Sequence, residues 1–350
     1  MDKKISNISI TENLSILSVL KKMDELKVKL LLVFNESKFV GIITIGDIQR
    51  AIIKNISLDN SISTIICHKK IYARPTDNID KIKKNMLRIR TECMPVVDEE
   101  GRLTEVYFWK DLFQEESLKR EPLNLPVVIM AGGKGTRLKP LTNVIPKPLI
   151  PIGRKTILEE IMDQFESIGC TEFHMSVNYK YDIIKYYLGQ LDHKYNISFF
   201  REEKPLGTIG SVSLLKNKIN TPFFVSNCDI IIDQDYRDVY EYHKNNGNDI
   251  TIITAVKNYT IPYGVIETSE NGVMTGLSEK PEFNYMINTG VYILQPELID
   301  EIPKGEFYHI THLMDKVRER GGKVGCFPVS NGAWKDMGEW PEYLKMINVL

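Results

Sequence analysis

Residues 126–149 read PVVIMAGGKGTRLKPLTNVIPKPL, and the rest of the chain is organised around this stretch. Its apolar run, Val127–Met130, stops at glycines, a pattern typical of a buried parallel strand that ends in a turn. Glycines let backbone N–H groups close around a phosphate, and Lys134 and Arg137 add positive charge beside them. Lys147 stands between two prolines, which restrict the backbone and keep the lysine aimed at one point. The stretch therefore predicts a phosphate-binding loop.

The motif is long enough to distinguish this loop from other phosphate-binding loops. It has neither the Gly-Lys-Ser/Thr of a Walker A loop nor the GxGxxG of a dinucleotide-binding turn. Gly-Gly-x-Gly-Thr-Arg-Leu-x-Pro-Leu-Thr followed by Pro-Lys-Pro-Leu resembles the signature of the sugar-1-phosphate nucleotidyltransferases, over residues 125–345. The resemblance implies transfer of a nucleoside monophosphate from an NTP to a sugar 1-phosphate, with release of pyrophosphate. A glycine-rich turn with surface charges is the alternative without a function.

The composition sets limits on size and partners. A chain of 350 residues favours two domains. The net charge of −1, with both signs mixed, argues against a nucleic acid or a membrane surface as partner. No apolar run approaches the roughly 18 residues that span a bilayer, and the first residues lack the apolar core of a signal peptide. The five cysteines lack CxxC spacing and are typical of thiols in a reducing cytoplasm, where we expect the protein to be located.

An internal repeat occupies residues 1–116. Residues 32–47 and residues 96–111 align without a gap, and each copy reads as a strand, a polar turn, a second strand and an aspartate that opens a helix as its N-cap. An apolar helical pattern precedes each copy, and its residues are Leu14, Leu17, Leu20 and Met23 in the first copy and Ile79, Ile82 and Met86 in the second. Because a unit of this size buries little core by itself, we expect the two copies to pack together.

The repeat resembles a pair of CBS motifs, regulatory modules that often bind adenine nucleotides between their two halves. In that family a hydroxyl residue and an aspartate three residues later hold the ribose, and the first copy has both, as Thr44 and Asp47. The second copy keeps Asp111 but has Phe108 in the hydroxyl position, and its Glu105 would repel a phosphate. The resemblance therefore implies one standard site, near Thr44 and Asp47. The alternative is that the module only dimerises or supports the enzyme.

A charged stretch separates this module from the rest of the chain. Gln114–Leu123 reads as a helix end and a linker that stops at Pro122. We therefore predict a tandem CBS module with α+β structure at residues 1–120 and a nucleotidyltransferase domain at residues 121–350.

Strands and helices alternate after the loop. The sequence predicts helices at Thr156–Gly169 and Tyr181–Leu188 and strands at Phe173–Val177, Ile197–Phe200 and Phe223–Asp229. This alternation predicts an α/β fold with a Rossmann-like, mixed but mostly parallel sheet and helices on both faces. Ligands of such sheets bind beyond the carboxyl ends of the strands, so we expect the glycine loop, the Leu206-Gly207-Thr208 turn and Asp229 to converge.

Asp229 is the first candidate metal ligand. A carboxylate at the end of a buried strand needs a charge partner, and Mg²⁺ (or Mn²⁺) takes one or two carboxylates together with phosphate oxygens. The alternative is a helix cap or turn residue. The segment Trp334-Lys335-Asp336-Met337-Gly338 resembles the second metal-binding motif of the family, which implies Asp336 as the second ligand. His309 and His312 lack a supporting ligand pattern and are interpreted as a helix face.

The resemblance implies roles for further residues. The implied catalytic residues are Arg137, which would hold the triphosphate, Lys147, which would hold the sugar phosphate, and Asp229. The residues implied for the nucleotide are Met130, Ala131, Gly132, Gly133, Lys134, Gly135, Thr136, Asn178, Leu206, Gly207 and Thr208. The residues implied for the sugar phosphate are Gly264, Glu279, Lys280, Asn288 and Thr289. The residues implied for the CBS ligand are Thr44, Asp47 and Asp111.

The identity of the base is poorly encoded. CBS pairs fused to this type of enzyme resemble those beside bacterial pathways for nonulosonic acids such as legionaminate. That resemblance implies a guanylyltransferase that uses GTP and an amino sugar or hexose 1-phosphate. A uridylyltransferase or thymidylyltransferase of the same fold is one alternative, and a degenerate nucleotide sensor is another, although the retained charged residues argue against the sensor. A homo-oligomer is expected, because both kinds of domain often dimerise.

Overall fold

Residues 1–120 and residues 121–350 form two separate units in the computed structural model. The structure describes residues 3–66, 71–89, 91–113, 121–191 and 195–347. Cys67 and residues 114–120 of the predicted linker lie outside the described residues. Within the described parts of the chain, no helix is both long enough and apolar enough to cross a bilayer.

The described residues of the first unit form two small sheets. Its helices are α1 (Lys3–Asn7), α2 (Ile16–Leu26), α3 (Ile45–Ile53), α4 (Ile79–Ile89) and α5 (Trp109–Leu112), and its strands are β1 (Ser9–Thr11), β2 (Leu30–Asn35), β3 (Lys38–Thr44), β4 (Cys93–Val97) and β5 (Leu103–Phe108). A short 3₁₀ helix covers Ile62–Thr64. Strands β1, β2 and β3 form one sheet, and β4 and β5 form the other.

The two copies of the repeat have the same order of elements. Each contains an antiparallel pair of strands followed by a helix, β2–β3–α3 in the first copy and β4–β5–α5 in the second. The parallel pairing of Ser9 with Leu32 has its counterpart in the pairing of Ala73 with Val96. Side chains from both copies, Leu32 and Cys93 among them, share one apolar cluster. The two copies therefore pack together, as the small size of each predicts.

The helix starts of this unit differ from the sequence prediction. The N-cap of α3 is Thr44, not Asp47, and the carboxylate of Asp47 accepts the N–H of Thr44 at 2.8 Å. The N-cap of α5 is Phe108, not Asp111. Both predicted aspartate caps were wrong: in α3 the Thr44 hydroxyl and the Asp47 carboxylate form a reciprocal capping box, and in α5 Phe108 precedes the helix without a side-chain cap. Helix α2 begins at Ile16, so the predicted helical residue Leu14 lies outside it.

The second unit is built around a seven-stranded sheet. Its strands are β6 (Val127–Met130), β7 (Pro151–Ile152), β8 (Lys155–Thr156), β9 (Glu172–Val177), β10 (Asn196–Arg201), β11 (Phe223–Asn227), β12 (Ile230–Ile232), β13 (Ile250–Thr260), β14 (Gly264–Thr268), β15 (Met274–Glu279), β16 (Glu282–Leu294), β17 (Val324–Ser330) and β18 (Trp334–Asp336). Its α-helices are α6 (Ile157–Glu166), α7 (Tyr181–Gln190), α8 (Tyr236–Asn246), α9 (Ile310–Glu319) and α10 (Trp340–Ile347). Its 3₁₀ helices are Thr136–Leu138, Leu141–Asn143, Lys147–Leu149, Gly210–Leu215, Glu270–Gly272 and Pro296–Glu301.

The large sheet has the strand order β10-β9-β6-β11-β16-β13-β17. Neighbouring strands pair in parallel except at β16, which runs antiparallel to both β11 and β13. The predicted mixed, mostly parallel sheet is therefore confirmed.

Both faces of this sheet are covered. Along β6, Val127 and Ile129 belong to one apolar cluster and Val128 to the other. The first cluster includes residues of α6, α7 and α8, and the second includes residues of α9 and of the 3₁₀ helix Gly210–Leu215. Successive side chains point to opposite faces, and both faces are buried, so the strand reads as a continuous apolar run.

Two element boundaries differ from the prediction. Helix α6 begins after the N-cap Thr156 and ends at Glu166 rather than at Gly169, whose φ of +89° is left-handed. The strand predicted at 223–229 ends at Asn227, so Asp229 lies beyond the large sheet, directly before β12. Asp229 therefore lies in the connection between the large sheet and the smaller β12–β18 pair.

Candidate active site

The candidate site lies where the parallel strands of the second unit end. Met130, at the end of β6, is in register with Ser176 of β9 and Asn227 of β11. The residues that follow β6, β9, β10 and β11 include the glycine loop, Asn178, Glu202 and Asp229. Because the carboxyl ends of parallel strands share one edge of a sheet, these residues meet at that edge.

The glycine loop folds back on itself. Gly135 has a φ of +63°, and a Cβ there would lie 2.8 Å from Thr142 Cγ2 and 3.0 Å from Lys147 Cβ. The Thr142 hydroxyl donates to the Gly135 carbonyl at 2.8 Å. Any larger residue at position 135 would be strained in its backbone and crowded in its side chain. Gly133 differs, because no described residue other than its chain neighbours has an atom within 4 Å of its Cβ position, so a ligand can approach the backbone there.

Two carboxylates and one ammonium group converge beside this loop. Strand β12 pairs antiparallel with β18, which sets Ile230 opposite Asp336 and brings Asp336 next to Asp229. A Cβ on Gly338 would lie 2.5 Å from Asp229 Oδ2, 2.8 Å from Asp336 Oδ1 and 2.8 Å from Lys147 Nζ. Lys147 forms an ion pair with Asp229, and their side chains are only 12% and 7% exposed. The structure therefore brings together three residues that the sequence predicts to act together.

The carboxyl group of Asp336 holds its proton more firmly than a free aspartate does. Burial raises its pKa, and the negative charge of Asp229 raises it further, while the Gly338 N–H, Lys147 and Arg137 act in the opposite direction. The folded chain therefore binds this proton more tightly than the unfolded chain, and the stability that the protonated form contributes is lost as the pH rises through the raised pKa. A cation beside the two carboxylates would remove that cost.

Asp229 and Asp336 fit a divalent cation. Their oxygens face one small space that Gly338 leaves open because it has no side chain. Mg²⁺ completes its octahedral shell with water and phosphate oxygens, so one or two carboxylates suffice. Groups of three or more His, Cys, Asp or Glu residues that would suit a structural zinc are absent from the described part of the chain. The donor set therefore suits Mg²⁺ or Mn²⁺ bound together with phosphates.

The segment of residues 336–343 also holds the outer side of the glycine loop. Arg137 pairs with Glu339 at 2.8 Å, and these side chains are 57% and 54% exposed. The indole N–H of Trp340 donates to the Lys139 carbonyl at 3.2 Å. The same segment thus carries Asp336, which with Asp229 forms what we call the acidic pair, and Glu339, the partner of Arg137.

Glu202 is a residue of this site to which the sequence analysis assigned no role. It is 6% exposed, and its carboxylate accepts the Ser176 hydroxyl at 2.5 Å and the Leu206 N–H at 3.1 Å. A Cβ on Gly132 would lie 3.1 Å from Glu202 Oε1. The Asn178 amide donates to the Glu202 carbonyl at 2.9 Å. The buried carboxylate therefore connects the glycine loop with the start of the predicted base-binding turn.

A signal for Glu202 exists in the sequence. An acid that directly follows a predicted strand and precedes a Pro-Leu-Gly turn lies at the ligand-binding edge of a parallel sheet, as Asp229 does. Among the described residues no Lys or Arg forms an ion pair with Glu202. A buried carboxylate that only neutral groups satisfy retains capacity for further hydrogen-bond donors.

The Leu206-Gly207-Thr208 turn is held by the start of α9. The Tyr308 N–H donates to the Leu206 carbonyl at 3.0 Å, and a Cβ on Gly207 would lie 2.6 Å from the Tyr308 carbonyl oxygen. The Thr208 hydroxyl accepts the Ile310 N–H at 2.9 Å. This hydroxyl therefore serves the helix, whereas the sequence analysis expected Thr208 to face the nucleotide. His309 and His312 form a capping box at the same helix start, which agrees with their interpretation as helix residues.

Three of the residues predicted to contact the sugar lie on β14, on β15 and directly after β15. Gly264 pairs with Glu279, and a Cβ on Gly264 would lie 2.9 Å from Glu279 Oε2, so the carboxylate lies over the glycine. Lys280 has a φ of +47°, and its N–H donates to the Tyr263 carbonyl at 3.2 Å. All three residues are exposed and available to a ligand.

The remaining two predicted sugar residues lie in β16. Thr289 is 2% exposed, and its hydroxyl donates to the Ile253 carbonyl at 2.7 Å. Its side chain is committed to the sheet, which does not agree with the expected contact to the sugar. Asn288 accepts the Gly290 N–H at 3.0 Å with its side-chain oxygen, and it remains exposed.

A second candidate site is a cavity of about 1170 Å³ in the first unit. Asp111 lines it, whereas Thr44 and Asp47, the residues expected to hold a nucleotide, do not. The Thr44 hydroxyl donates to the Asp47 carboxylate at 2.6 Å, and Arg50 pairs with the same carboxylate at 2.6 Å. These polar groups satisfy one another in the first copy, whereas the cavity is lined by residues of both copies, such as Phe34 and Phe108.

Comparisons with known proteins match two families to different parts of the chain. The Nucleotidyl transferase family matches residues 126–350, and the CBS domain family matches residues 1–54. The mannose-1-phosphate guanyltransferase of Pichia angusta is 34% identical over 226 residues, which are 62% of this chain and 62% of the relative. The mannose-1-phosphate guanylyltransferase catalytic subunit beta of Dictyostelium discoideum is 33% identical over 228 residues, 63% of each chain. The chain thus spans less than two thirds of the length of these curated relatives.

Solved structures resemble the second unit. The crystal structure of HddC from Yersinia pseudotuberculosis is similar over 64% of this chain and 99% of its own, with 28% sequence identity and a TM-score of 0.51. The same protein complexed with GMP-PN matches over the same shares, with 27% identity and a TM-score of 0.50.

Proposed function

The chain belongs to the nucleotidyl transferase family, and we propose that its second unit transfers a guanylyl group from GTP to a sugar 1-phosphate and releases pyrophosphate. The observation that carries this proposal is the convergence of Lys147, Asp229 and Asp336 beside the glycine loop. The relatives named as mannose-1-phosphate guanylyltransferases support guanine as the base and a hexose 1-phosphate as the acceptor. HddC complexed with GMP-PN supports the same base.

The reaction requires positioning and charge compensation rather than a protein nucleophile. An oxygen of the sugar 1-phosphate attacks the α-phosphorus of GTP, a new P–O bond forms, and the bond from that phosphorus to the bridging oxygen breaks so that pyrophosphate leaves. The open backbone at Gly133 offers N–H groups to the triphosphate, and Arg137 compensates the charge that develops on the α-phosphoryl group. Burial raises the pKa of Cys228 to about 12, so this neighbouring thiol supplies no nucleophile at neutral pH.

Lys147 is the residue that we assign to the phosphate of the sugar. Its ammonium shares one small space with the carboxylates of Asp229 and Asp336, so a phosphate that enters this space meets one cation and two anions. Two phosphate-bearing substrates need further positive charge there. Asp229 and Asp336 would hold Mg²⁺ or Mn²⁺, and that ion would supply the charge and reduce repulsion between the phosphates.

Glu202 is the feature of the site that favours guanine. Its carboxylate reaches the glycine loop across Gly132, which has no side chain to block a base. Guanine presents two adjacent N–H donors, on N1 and on the exocyclic N2, that a carboxylate can accept together. Uracil and thymine offer one donor on the same edge, and adenine places an acceptor opposite the carboxylate. A buried carboxylate that keeps its partners therefore selects for guanine.

The base preference is tested by pyrophosphate release from GTP, UTP, dTTP, CTP and ATP with a small panel of sugar 1-phosphates and Mg²⁺. We expect turnover with GTP, and we expect Glu202→Gln to reduce the ratio of kcat/KM for GTP over UTP by about 10–100-fold, because the amide repels one guanine donor. Glu203→Gln is the matched control, since Glu203 is adjacent but exposed. An unchanged ratio in Glu202→Gln would remove this carboxylate from base selection. Nucleotide binding without any pyrophosphate release would favour a sensor.

We propose further that an adenine nucleotide binds in the cavity of the first unit. Arg74 and Arg102 line that cavity and bring positive charge toward a phosphate, although Arg102 also pairs with Asp98 at 3.0 Å. Glu105, which was expected to repel a phosphate, accepts the Tyr107 hydroxyl at 2.8 Å. The cavity, at about 1170 Å³, is somewhat larger than the roughly 300–1,000 Å³ of common ligand pockets, so it has room for a nucleotide.

The cavity is tested by titrating the full chain with AMP, ADP and ATP while GTP saturates the second unit. We expect Arg102→Gln to weaken adenine-nucleotide binding by at least about tenfold, the effect of losing one charged hydrogen bond. Arg88→Gln is the control, because Arg88 is exposed on α4 and does not line the cavity. Absence of any saturable binding in the wild-type chain would leave the first unit with a purely structural role.

A further inference from the structure

Beyond the large sheet, β13 and β16 continue as a two-stranded ribbon, which we define as residues 257–286. The neighbours of these strands stop earlier: β11 pairs with β16 only at Val291–Leu294, and β17 pairs with β13 only at Ile250–Val256. The two strands remain paired as far as Thr260 and Glu282.

The ribbon continues without a break into the β14–β15 pair. The Ile261 N–H donates to the Pro281 carbonyl at 3.0 Å, and the Lys280 N–H donates to the Tyr263 carbonyl at 3.2 Å. Strands β14 and β15 then pair with each other, and in the described part of the chain neither has another neighbouring strand. The ribbon is therefore two strands wide along its whole length, with unpaired outer edges at β14 and β15.

The surface of the ribbon is unusually apolar. Ten of its large apolar side chains, between Tyr259 and Met286, are at least 37% exposed, and Tyr263 reaches 72%. Ile266 and Leu277 face each other across β14 and β15 and are both 60% exposed. Tyr259 lies opposite Phe283, so aromatic rings also share a face nearer the sheet. No described residue of the ribbon belongs to a buried core cluster.

A two-stranded ribbon with both faces in water is marginally stable at best, so we expect another protein surface to pack against it. Side chains of this size and exposure present an apolar area on the order of 800 Å², which is what one partner contributes to a standard interface. The charged residues of the ribbon carry both signs, with Lys257 and Lys280 among four glutamates. An apolar surface that carries both signs can be complementary to itself, as a two-fold interface requires.

We infer that the ribbon is covered by the ribbon of a second copy of this chain. The unpaired edges of β14 and β15 provide backbone donors and acceptors for such a pairing, and the apolar faces provide the buried area. Glu279 lies on the ribbon over Gly264, and Lys280 follows it directly. The role of these two residues in binding the sugar phosphate rests on the proposed function. If they bind it, association of two ribbons orders the sugar side of the site, and the rate of pyrophosphate release per chain falls when the protein is diluted.

The test follows association and ribbon protection together on the full chain. Sedimentation velocity and amide hydrogen exchange are measured from nanomolar to micromolar concentrations for the wild type and for a double variant, Ile266→Lys with Leu277→Lys. In the wild type we expect exchange in residues 264–279 to slow by at least about tenfold as the chain associates. In the variant we expect fast exchange at every concentration and the loss of one association step. Tyr186→Lys is the control, since Tyr186 is 72% exposed on α7, away from the ribbon.

Two results would overturn the inference. One is wild-type exchange in residues 264–279 that does not depend on protein concentration. Fast exchange at every concentration would mean that the ribbon is uncovered, and slow exchange at every concentration would mean that another part of the same chain covers it. The other is an unchanged mass and unchanged exchange in the double variant. Pyrophosphate release is measured separately on the same samples. Its complete absence would count against the proposed function without affecting the exchange result.

Discussion

Replacing Asp229 with asparagine is expected to lower the rate of pyrophosphate release by about 10²–10³-fold, the effect of losing one group that stabilises transition-state charge. The asparagine keeps the size of the side chain but removes the charge that pairs with Lys147. It also leaves Asp336 as the single carboxylate beside Gly338. The loss should appear in kcat/KM for both substrates, because the proposed reaction places the Asp229 carboxylate where the two phosphates would meet.

The measurement is turnover with GTP and the best acceptor across a range of Mg²⁺ concentrations. Asp233→Asn is the matched control, since Asp233 is exposed directly after β12 and lies outside the acidic pair. Circular dichroism and GTP binding verify that the Asp229 variant is folded. A second readout is the increase in melting temperature with Mg²⁺, which Asp229→Asn should abolish and Asp233→Asn should retain. Near-normal activity in Asp229→Asn would exclude this carboxylate from the reaction.

Replacing Arg137 with glutamine is expected to lower kcat by a similar factor of about 10²–10³. Arg137 follows the glycines, at a point where the loop is exposed, and its guanidinium would offset charge on the α-phosphoryl group. Its pairing with Glu339 does not account for such a loss, because an exposed ion pair contributes only about 0–1 kcal/mol to stability. The melting temperature of Arg137→Gln should therefore remain close to that of the wild type.

Glu339→Gln separates the two roles of Arg137. It breaks the same ion pair but leaves the guanidinium in place, so kcat should stay within a few-fold of the wild type. Arg154→Gln controls for the loss of an exposed positive charge elsewhere, in the turn between β7 and β8. Equal losses in Arg137→Gln and Glu339→Gln would mean that the ion pair positions residues 336–343, and that Arg137 has no direct role at the phosphates.

Local patterns of the sequence predicted those parts of the fold that depend on neighbouring residues. The run from Val127 to Met130 predicts a strand buried on both faces, and the two apolar clusters on either side of β6 are the physical cause of that run. Gly135 likewise marks a left-handed turn, since a side chain there would meet Thr142 and Lys147. The repeat could be found because both copies place their apolar residues at the same spacing, as their shared order of strands and helix requires.

Tertiary contacts determine the positions of residues whose roles local sequence patterns do not predict. Glu202 acquires its place from the pairing of β10 with β9 and from the absence of a side chain on Gly132. Thr289 has the hydroxyl that a sugar contact needs, but the register of β16 against β13 aims it at the Ile253 carbonyl. Thr44 and Asp47 match a nucleotide-binding pair in sequence, yet they satisfy each other in a capping box.

Residue order alone identifies the family motif, the alternation of strands and helices, and the charged groups that converge beside the glycine loop. Contacts between distant segments account for three further features: Asp336 reaches Asp229 through the β12–β18 pair, the open cavity is lined by residues of both copies of the repeat, and residues 257–286 leave an apolar ribbon exposed. These two groups of features differ in how far apart in the chain the interacting residues lie. Propensity and periodicity act over a few residues, whereas strand register and the space around a side chain depend on segments that lie far apart in the chain.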